Sequence, residues 1–189
     1  VLSNSGEAII LKNNTSKGIV LRGYENNDFS KLEIIKNNKF KGNKLLHKDF
    51  LSIGNELSFS LDLHVGDEIT LMSPSGLETI VGNLPKQKSF IVTSIFNSGL
   101  AEFDNNIAFI NLKTLEEFFG FDVSDRNLEI YLKNPNKIDS QKMIVQKIFD
   151  KEFVYSWADM NSSLFSALKV ERNVMFIILS LIIVVAAFN

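Results

Sequence analysis

Cysteine is absent from this sequence, and histidine occurs only twice, at His47 and His64. No disulfide framework, thiolate nucleophile or cysteine-built metal site is therefore available, and the redox compartment is not readable from composition. Charge of one sign is lacking too: 20 basic side chains stand against 22 acidic ones, for a formal net charge of -2. That balance offers no general attraction for nucleic acid or an anionic surface, so any basic contact has to be local. What is plentiful is apolar. With 45% hydrophobic and 22% charged residues over 189 positions, the chain is globular material able to bury one substantial core or two small ones.

Converging catalytic or metal-binding groups are equally scarce. His47 and His64 fall on a helix lead-in and a turn, outside any HExxH or CxxC setting, and a structural or surface role suits each. The acidic pairs Asp122/Asp125 and Glu116/Glu117 read as solvated faces rather than acid–base dyads. Gly76 and Gly82 precede no Lys-Ser/Thr step and open no helix, so a phosphate loop is not supported. Trp157, the single tryptophan, suits packing better than a ligand platform. The expectation is a protein that is not an enzyme and that has no cofactor or metal in this domain.

Strand and helix periods alternate along the chain. Residues 7–11 (EAIIL) and 18–24 (GIVLRGY) form a hairpin pattern turning through Asn13, Asn14 and Lys17. Phe29, Leu32 and Ile35 at helical spacing predict a short helix over 28–36, followed by a Lys- and Asn-rich loop over 37–44. Phe50, Ile53, Leu57 and Leu61 predict one helix over 49–61, whose apolar face belongs to the core. A turn at 64–68, with Gly66 free to take a positive φ, leads to a strand over 68–72; a second strand covers 89–96. Between them, residues 73–88 (SPSGLETIVGNLPKQK) read as a long loop, and loops of this length usually carry function. Further strands are predicted at 107–111, 127–133 and 153–157, with helices at 113–119, closed by Gly120, and at 138–149. The class is α+β.

From Asp159 an amphipathic pattern through Leu164, Phe165 and Leu168 runs without a breaker into the uncharged stretch 174–188 (VMFIILSLIIVVAAF). This stretch is shorter than the ~20 residues that span a bilayer, and is read as the start of a transmembrane helix cut by the end of the sequence. A buried helix of a soluble core is the alternative, although such helices rarely lack every polar face. The expected division is a core over 1–158, a connecting amphipathic helix over 159–173 and a membrane helix over 174–189.

Two groups of residues resemble the LolC/LolE family of lipoprotein-releasing ABC permeases. One is the run 157–189, with Trp157-Ala158-Asp159, Leu164-Phe165, Glu171-Arg172-Asn173 and the closing residues 185–189 (VAAFN); the other is Ile53-Gly54-Asn55-Glu56-Leu57 followed by Val65-Gly66-Asp67 and Leu71-Met72-Ser73-Pro74. With the opening GIVLRGY strand, the likeness covers essentially the whole chain. It implies a MacB-like periplasmic core of two α+β lobes, ending in a long helix that enters the inner membrane. It also implies a subunit that passes lipoproteins to a LolA-type carrier, beside a LolD-type ATPase and a LolE-type subunit or a second copy of itself.

The same resemblance assigns a carrier-binding site. The spacing T-x-x-G-x-x-P-x-x-x-x-F of Thr79, Gly82, Pro85 and Phe90 is LolC-like, and brings Pro74, Gly76, Leu77, Thr79, Ile80, Val81, Gly82, Leu84 and Pro85 onto a protruding hook. Thr70, Gln87 and Lys88 fall on the adjoining pad, Thr70 standing where the family can have arginine. Read physically, Leu77, Ile80, Val81 and Leu84 are more aliphatic than a solvated loop needs, and Lys86 and Lys88 can steer an acidic rim. These aliphatics either enter a partner or fold back on the domain. The competing function is an interaction or mechanotransmission module of a MacB-like or FtsX-like permease.

Overall fold

The computed structural model describes residues 1–12, 15–36, 39–79 and 82–188, in backbone alone at 75–79, 82–83 and 136. The chain divides into two compact units, Val1–Ile130 and Tyr131–Asn189. All the described strands belong to the first, and the fold is mixed α+β with a long apolar helix at its end.

In the first unit, β1 (Leu2–Lys12) and β2 (Thr15–Tyr24) form the hairpin that the sequence predicts, longer by several pairs, with Ile9 opposite Gly18. The predicted helix over 28–36 is two short pieces, α1 (Asn26–Phe29) and α2 (Glu33–Lys36), with Phe29, Leu32 and Ile35 all buried. A two-residue β3 (Lys41–Gly42) then pairs with a later strand. The helix expected over 49–61 is corrected: Phe50–Gly54 is strand β4, and only Asn55–Ser60 is helical, as α3. β4 lies between two strands and is buried from Leu51 to Gly54, so it shows none of the alternation that identifies a half-exposed strand.

After a turn in which Gly66 takes φ +105°, β5 (Glu68–Thr79) and β6 (Gly82–Phe96) follow. Then come α4 (Ala101–Asn106), β7 (Ile107–Asn111), α5 (Leu112–Phe119) and a two-residue β8 (Asn127–Leu128). Asn111 caps α5 by accepting from the Lys113 and Thr114 amides, and Gly120 at φ +76° ends it. The strand expected over 127–133 is thus reduced to its first two residues.

The strand path β2-β7-β4-β6-β5-β1 closes on itself because β1 also pairs with β2. Each of the six strands sends two side chains to one interior cluster: Ala8 and Ile10, Ile19 and Leu21, Leu51 and Ile53, Ile69 and Leu71, Phe90 and Val92, Ala108 and Ile110. Leu57, Leu61, Leu63, Leu115 and Phe118 complete it. Closure leaves the ring no open edge and makes alternation the rule along each strand.

One bulge breaks that rule to effect. Leu51 pairs with Val92 but Ser52 pairs with Ser94, so β6 skips Thr93 and reverses its facing. Ile95 therefore turns to the interior cluster, while Phe96 turns to a second, outer cluster with Tyr24, Phe29, Leu32, Ile35, Leu46 and Phe109. Phe109 is its centre, with ring centroids 4.9 Å from Phe96, 5.6 Å from Phe29 and 5.8 Å from Tyr24.

The second unit carries α6 (Ile138–Ile148), α7 (Trp157–Met160) and α8 (Ser162–Phe188). The predicted strand over 153–157 is not formed: Ser156 and Asp159 make a reciprocal capping box that starts α7 at Trp157 instead. Phe153 and Tyr155 stack at 6.3 Å, and Trp157 meets Phe165 edge-on at 4.9 Å. Among the described helices, α8 is the one long and apolar enough to cross a membrane. At 1.5 Å per residue it extends roughly 40 Å.

Candidate partner-docking site

β5 has β1 as a second neighbour only through the Ile9–Met72 pair, and β6 gains β4 only from Ile91 onward. Beyond those points the two strands continue alone as a ribbon, with Ser73 opposite Lys86, Gly76 opposite Pro85, Leu77 opposite Leu84 and Thr79 opposite Gly82. The stretch read from sequence as a loop is therefore a hairpin, whose outer part reaches roughly 15 Å past its root at the usual rise per residue. Pro74 and Ser75 have no register partners; the strand shifts there, which admits the proline without costing a ladder bond.

The structure places the expected hook residues Pro74, Gly76, Leu77, Thr79, Gly82, Leu84 and Pro85 on this ribbon. Ile80 and Val81 lie outside the described residues. Pro74 and Pro85 are exposed, and Leu84 is 61% exposed, so this aliphatic side chain does not fold back on the domain.

The three expected pad residues do not share a face. Thr70 and Gln87 lie on the same side of the ladder, where Met72 is opposite Gln87, and the Gln87 Nε2 donates to Met72 Sδ at 3.8 Å. Lys88 is opposite Leu71 on the other side; its amine lies 5.1 Å from the Phe90 ring centre and pairs with Asp49 at 3.0 Å. Sequence reasoning missed this anchoring, because Asp49 approaches only once β4 lines up beside β6. Lys86 donates to the Glu117 carbonyl of α5, and Lys48 lies 3.9 Å from the Glu117 carboxylate. Lysines thus tether the ribbon root while leaving a basic collar around it. A groove of about 310 Å³, lined in part by His47, Lys48, Lys113 and Glu117, opens in the same region.

The remaining charges serve the scaffold. The Arg126 guanidinium forks onto the Glu116 carboxylate at 2.5 and 2.9 Å, which raises its pKa. Glu129 accepts from Ser3, Arg22 and Tyr24, holding β8 against the first hairpin. The His64 backbone amide, with help from Lys12, holds the Asp67 carboxyl below its ordinary range. Among the described residues, no group of three or more His, Cys, Asp or Glu side chains could hold a metal ion. What the site can do is present Pro74, Leu84 and Pro85 on a two-stranded projection from a basic root.

No protein-family model matches the chain. Among curated proteins, it is 32% identical over 139 residues to the lipoprotein-releasing system transmembrane protein LolC of Neisseria meningitidis serogroup B, covering 72% of this chain and 34% of that protein. It is 31% identical over 138 residues to the LolC protein of Xylella fastidiosa, covering 72% of this chain and 33% of that one. The chain thus spans about a third of the length of the curated relatives it matches. Among solved structures, the extracellular domain of the noncanonic ABC-type transporter YknZ from Gram-positive bacteria is similar at a TM-score of 0.49 and 11% identity, over 79% of this chain and 75% of that one. A likeness at that level carries no weight for function.

Proposed function

This chain belongs to the LolC-like family of lipoprotein-releasing system permeases, and from that premise we propose that it is the portion of the subunit that recruits a LolA-type carrier. The observation that carries the reading is the β5–β6 ribbon, which continues past its neighbouring strands and exposes Leu84 and Pro85. Side chains already exposed at home, as Leu84 and Pro85 are, enter a partner's cavity at little cost to the fold. The lysine collar at its root favours encounter with an acidic rim.

In this reading residues 1–158 lie in the periplasm, the connecting helix expected over 159–173 starts only at Ser162 because α7 ends at Met160, and 174–189 belong to a helix in the bacterial inner membrane. The length of α8 and the absence of charge beyond Arg172 support the membrane placement of its second half. ATP is hydrolysed by a LolD-type subunit, and the domain itself needs no cofactor. A LolE-type subunit or a second copy of this chain completes the complex, and the lipoprotein passes from it to the carrier.

Binding of the purified chain, held in detergent micelles, to the same organism's LolA-type carrier tests this. Saturable binding that a ribbon-shortened variant loses is the expected result. Binding to a channel adaptor or a cell-wall hydrolase with none to the carrier would instead favour the MacB-like or FtsX-like reading.

A further inference from the structure

At the end of the closed sheet away from the ribbon, a groove of about 540 Å³ is lined by Glu56, Phe59, Ser60, Ala101, Glu102 and Asn105 of α3 and α4. Its position follows from topology. β4 runs parallel to β6, whose first residues form the ribbon, and α3 leaves from the far end of β4 while α4 leads into the adjacent start of β7.

The groove is firmly built. A Cβ on Gly54 would stand 2.0 Å from the Asp104 carbonyl oxygen, so β4 and α4 are in backbone contact there. Asp104 is itself buried and accepts from the Ser98 amide and hydroxyl at 3.0 and 2.6 Å. Lys17 of β2 reaches both walls, donating to Ser60 Oγ at 3.2 Å and to Asn105 Oδ1. Its charge is directed to those two partners, and partial burial lowers its pKa.

Two features of the groove face outward. On α3, Leu57 is buried and Leu61 follows one turn later on the same side, whereas Phe59 lies about 200° around the helix and is 76% exposed. Leu100, beside the start of α4, is 66% exposed. Glu56 and Glu102 stand in the first turns of α3 and α4, where the helix dipole favours a carboxylate, and neither has a side-chain hydrogen-bond or ion-pair partner among the described residues. An aromatic face accompanied by two carboxylates that no side chain pairs is complementary to a planar cation with several donors, and disfavours phosphate or carboxylate ligands.

We propose that this groove binds an arginine side chain presented by an extended segment of a partner protein, with the guanidinium on the Phe59 ring and paired to Glu56 and Glu102. An aliphatic neighbour of that arginine packs against Leu100 and Ala101. The surface is separate from the ribbon, so one chain can hold a second partner while its carrier site is occupied.

The test uses the full chain in lipid nanodiscs and a fluorescent, N-acetylated and C-amidated peptide, Ala-Leu-Arg-Leu-Ala, beside a twin with citrulline in place of arginine. Citrulline keeps the shape and loses the charge. The arginine peptide should bind about tenfold more tightly than its twin, and more weakly as salt rises. Phe59→Ala, and separately the pair Glu56→Gln with Glu102→Gln, should each weaken it about fivefold or more. Unchanged amide exchange protection in β4 and β7 verifies that these variants are folded. Shortening the ribbon should leave peptide binding intact. Equal binding of the citrulline twin, insensitivity to Phe59→Ala, or no binding up to millimolar peptide overturns the proposal. So does self-association of the chain that Phe59→Ala abolishes, since a second copy would then own the groove.

Discussion

Leu71 and Lys88 face each other across the root of the β5–β6 ribbon, and one is fully buried while the other carries a charge to the surface. Both lie on the inward face of the ladder. Lys88 reconciles its position with its charge by laying its stem over Phe90 and placing its amine on Asp49. The residue proposed to steer a partner is therefore also a local brace.

That double use sets the expected behaviour of Lys88→Ala. Asp49 is more than half exposed, so loss of the ion pair should change stability by less than about 1 kcal/mol. The effect on carrier capture should fall on the association rate, by a fewfold at low salt, and vanish at high salt. Stopped-flow association at two ionic strengths measures it, and an undiminished rate at low salt would remove Lys88 from the pad.

Gly54→Ala should be among the most damaging single substitutions in the chain. The added methyl would meet backbone, the Asp104 carbonyl oxygen at 2.0 Å, and backbone yields less readily than a flexible side chain. A cost of about 3 kcal/mol or more is expected, read as a shift of the urea midpoint. Gly66, with nothing within 4 Å of its missing Cβ but φ at +105°, should cost only about 1 kcal/mol on the same substitution.

Gly66 and Gly120 were legible in sequence, because a turn and a helix end each announce a positive φ locally. So were the first hairpin, β7, α5, α6 and α8, whose patterns depend on near neighbours. β4 was not, since a strand covered on both faces has the same apolar density as a helix, and Phe50, Ile53, Leu57 and Leu61 fit helical spacing by coincidence. The ribbon was hidden by Pro74, Gly76, Gly82 and Pro85, which punctuate a loop in sequence but fit a hairpin once the shift at Pro74 and Ser75 absorbs the first proline. The Lys88–Asp49 pair and the groove between α3 and α4 depend on strands brought together from distant parts of the chain, which spacing alone does not encode.

Ring closure is the reason to expect the first unit to fold alone. Residues 1–130 contain all six strands of the ring and both apolar clusters, and within the ring itself each strand is paired on both sides. Expressed without 131–189, they should give a soluble domain with one cooperative urea transition and native near-UV circular dichroism. A broad, non-cooperative melt would show that the second unit is required.

Acid should spare the second unit until late. Lys142 at 2.7 Å, then the Ser156 hydroxyl and amide, hold the Asp159 carboxylate well below its usual range. A carboxylate whose folded pKa is depressed contributes stability above its unfolded value and loses it as pH falls through the folded value. The α7 cap and its tie to α6 should therefore persist at pH ~4 and fail only in stronger acid. Carboxyl-carbon NMR of Asp159 should show no titration near the value of an unstructured aspartate. Asp159→Asn should remove the acid dependence of helix protection.

The ribbon itself gives the strongest test of the carrier reading. Leu77 and Leu84 are register partners, and Leu84 is largely exposed in the unbound chain, so truncating both to alanine should leave stability nearly unchanged. If a carrier buries them, at ~25 cal/mol per Å² the double substitution should weaken docking by about 2–4 kcal/mol, roughly 30- to 1000-fold in affinity. A sharper variant replaces residues 77–84 with Asn-Gly, so that the Gly76–Pro85 pair closes directly on a two-residue turn. The pairs from Glu68 to Ser73 should survive, visible as unchanged amide exchange in β5 and β6. Carrier binding should disappear, because the shortened hairpin keeps the basic root and loses the apolar tip. A variant with intact strands and undiminished carrier affinity would show that the tip does not carry the interaction, leaving the lysine collar at Lys48, Lys86 and Lys88 as the surface to examine.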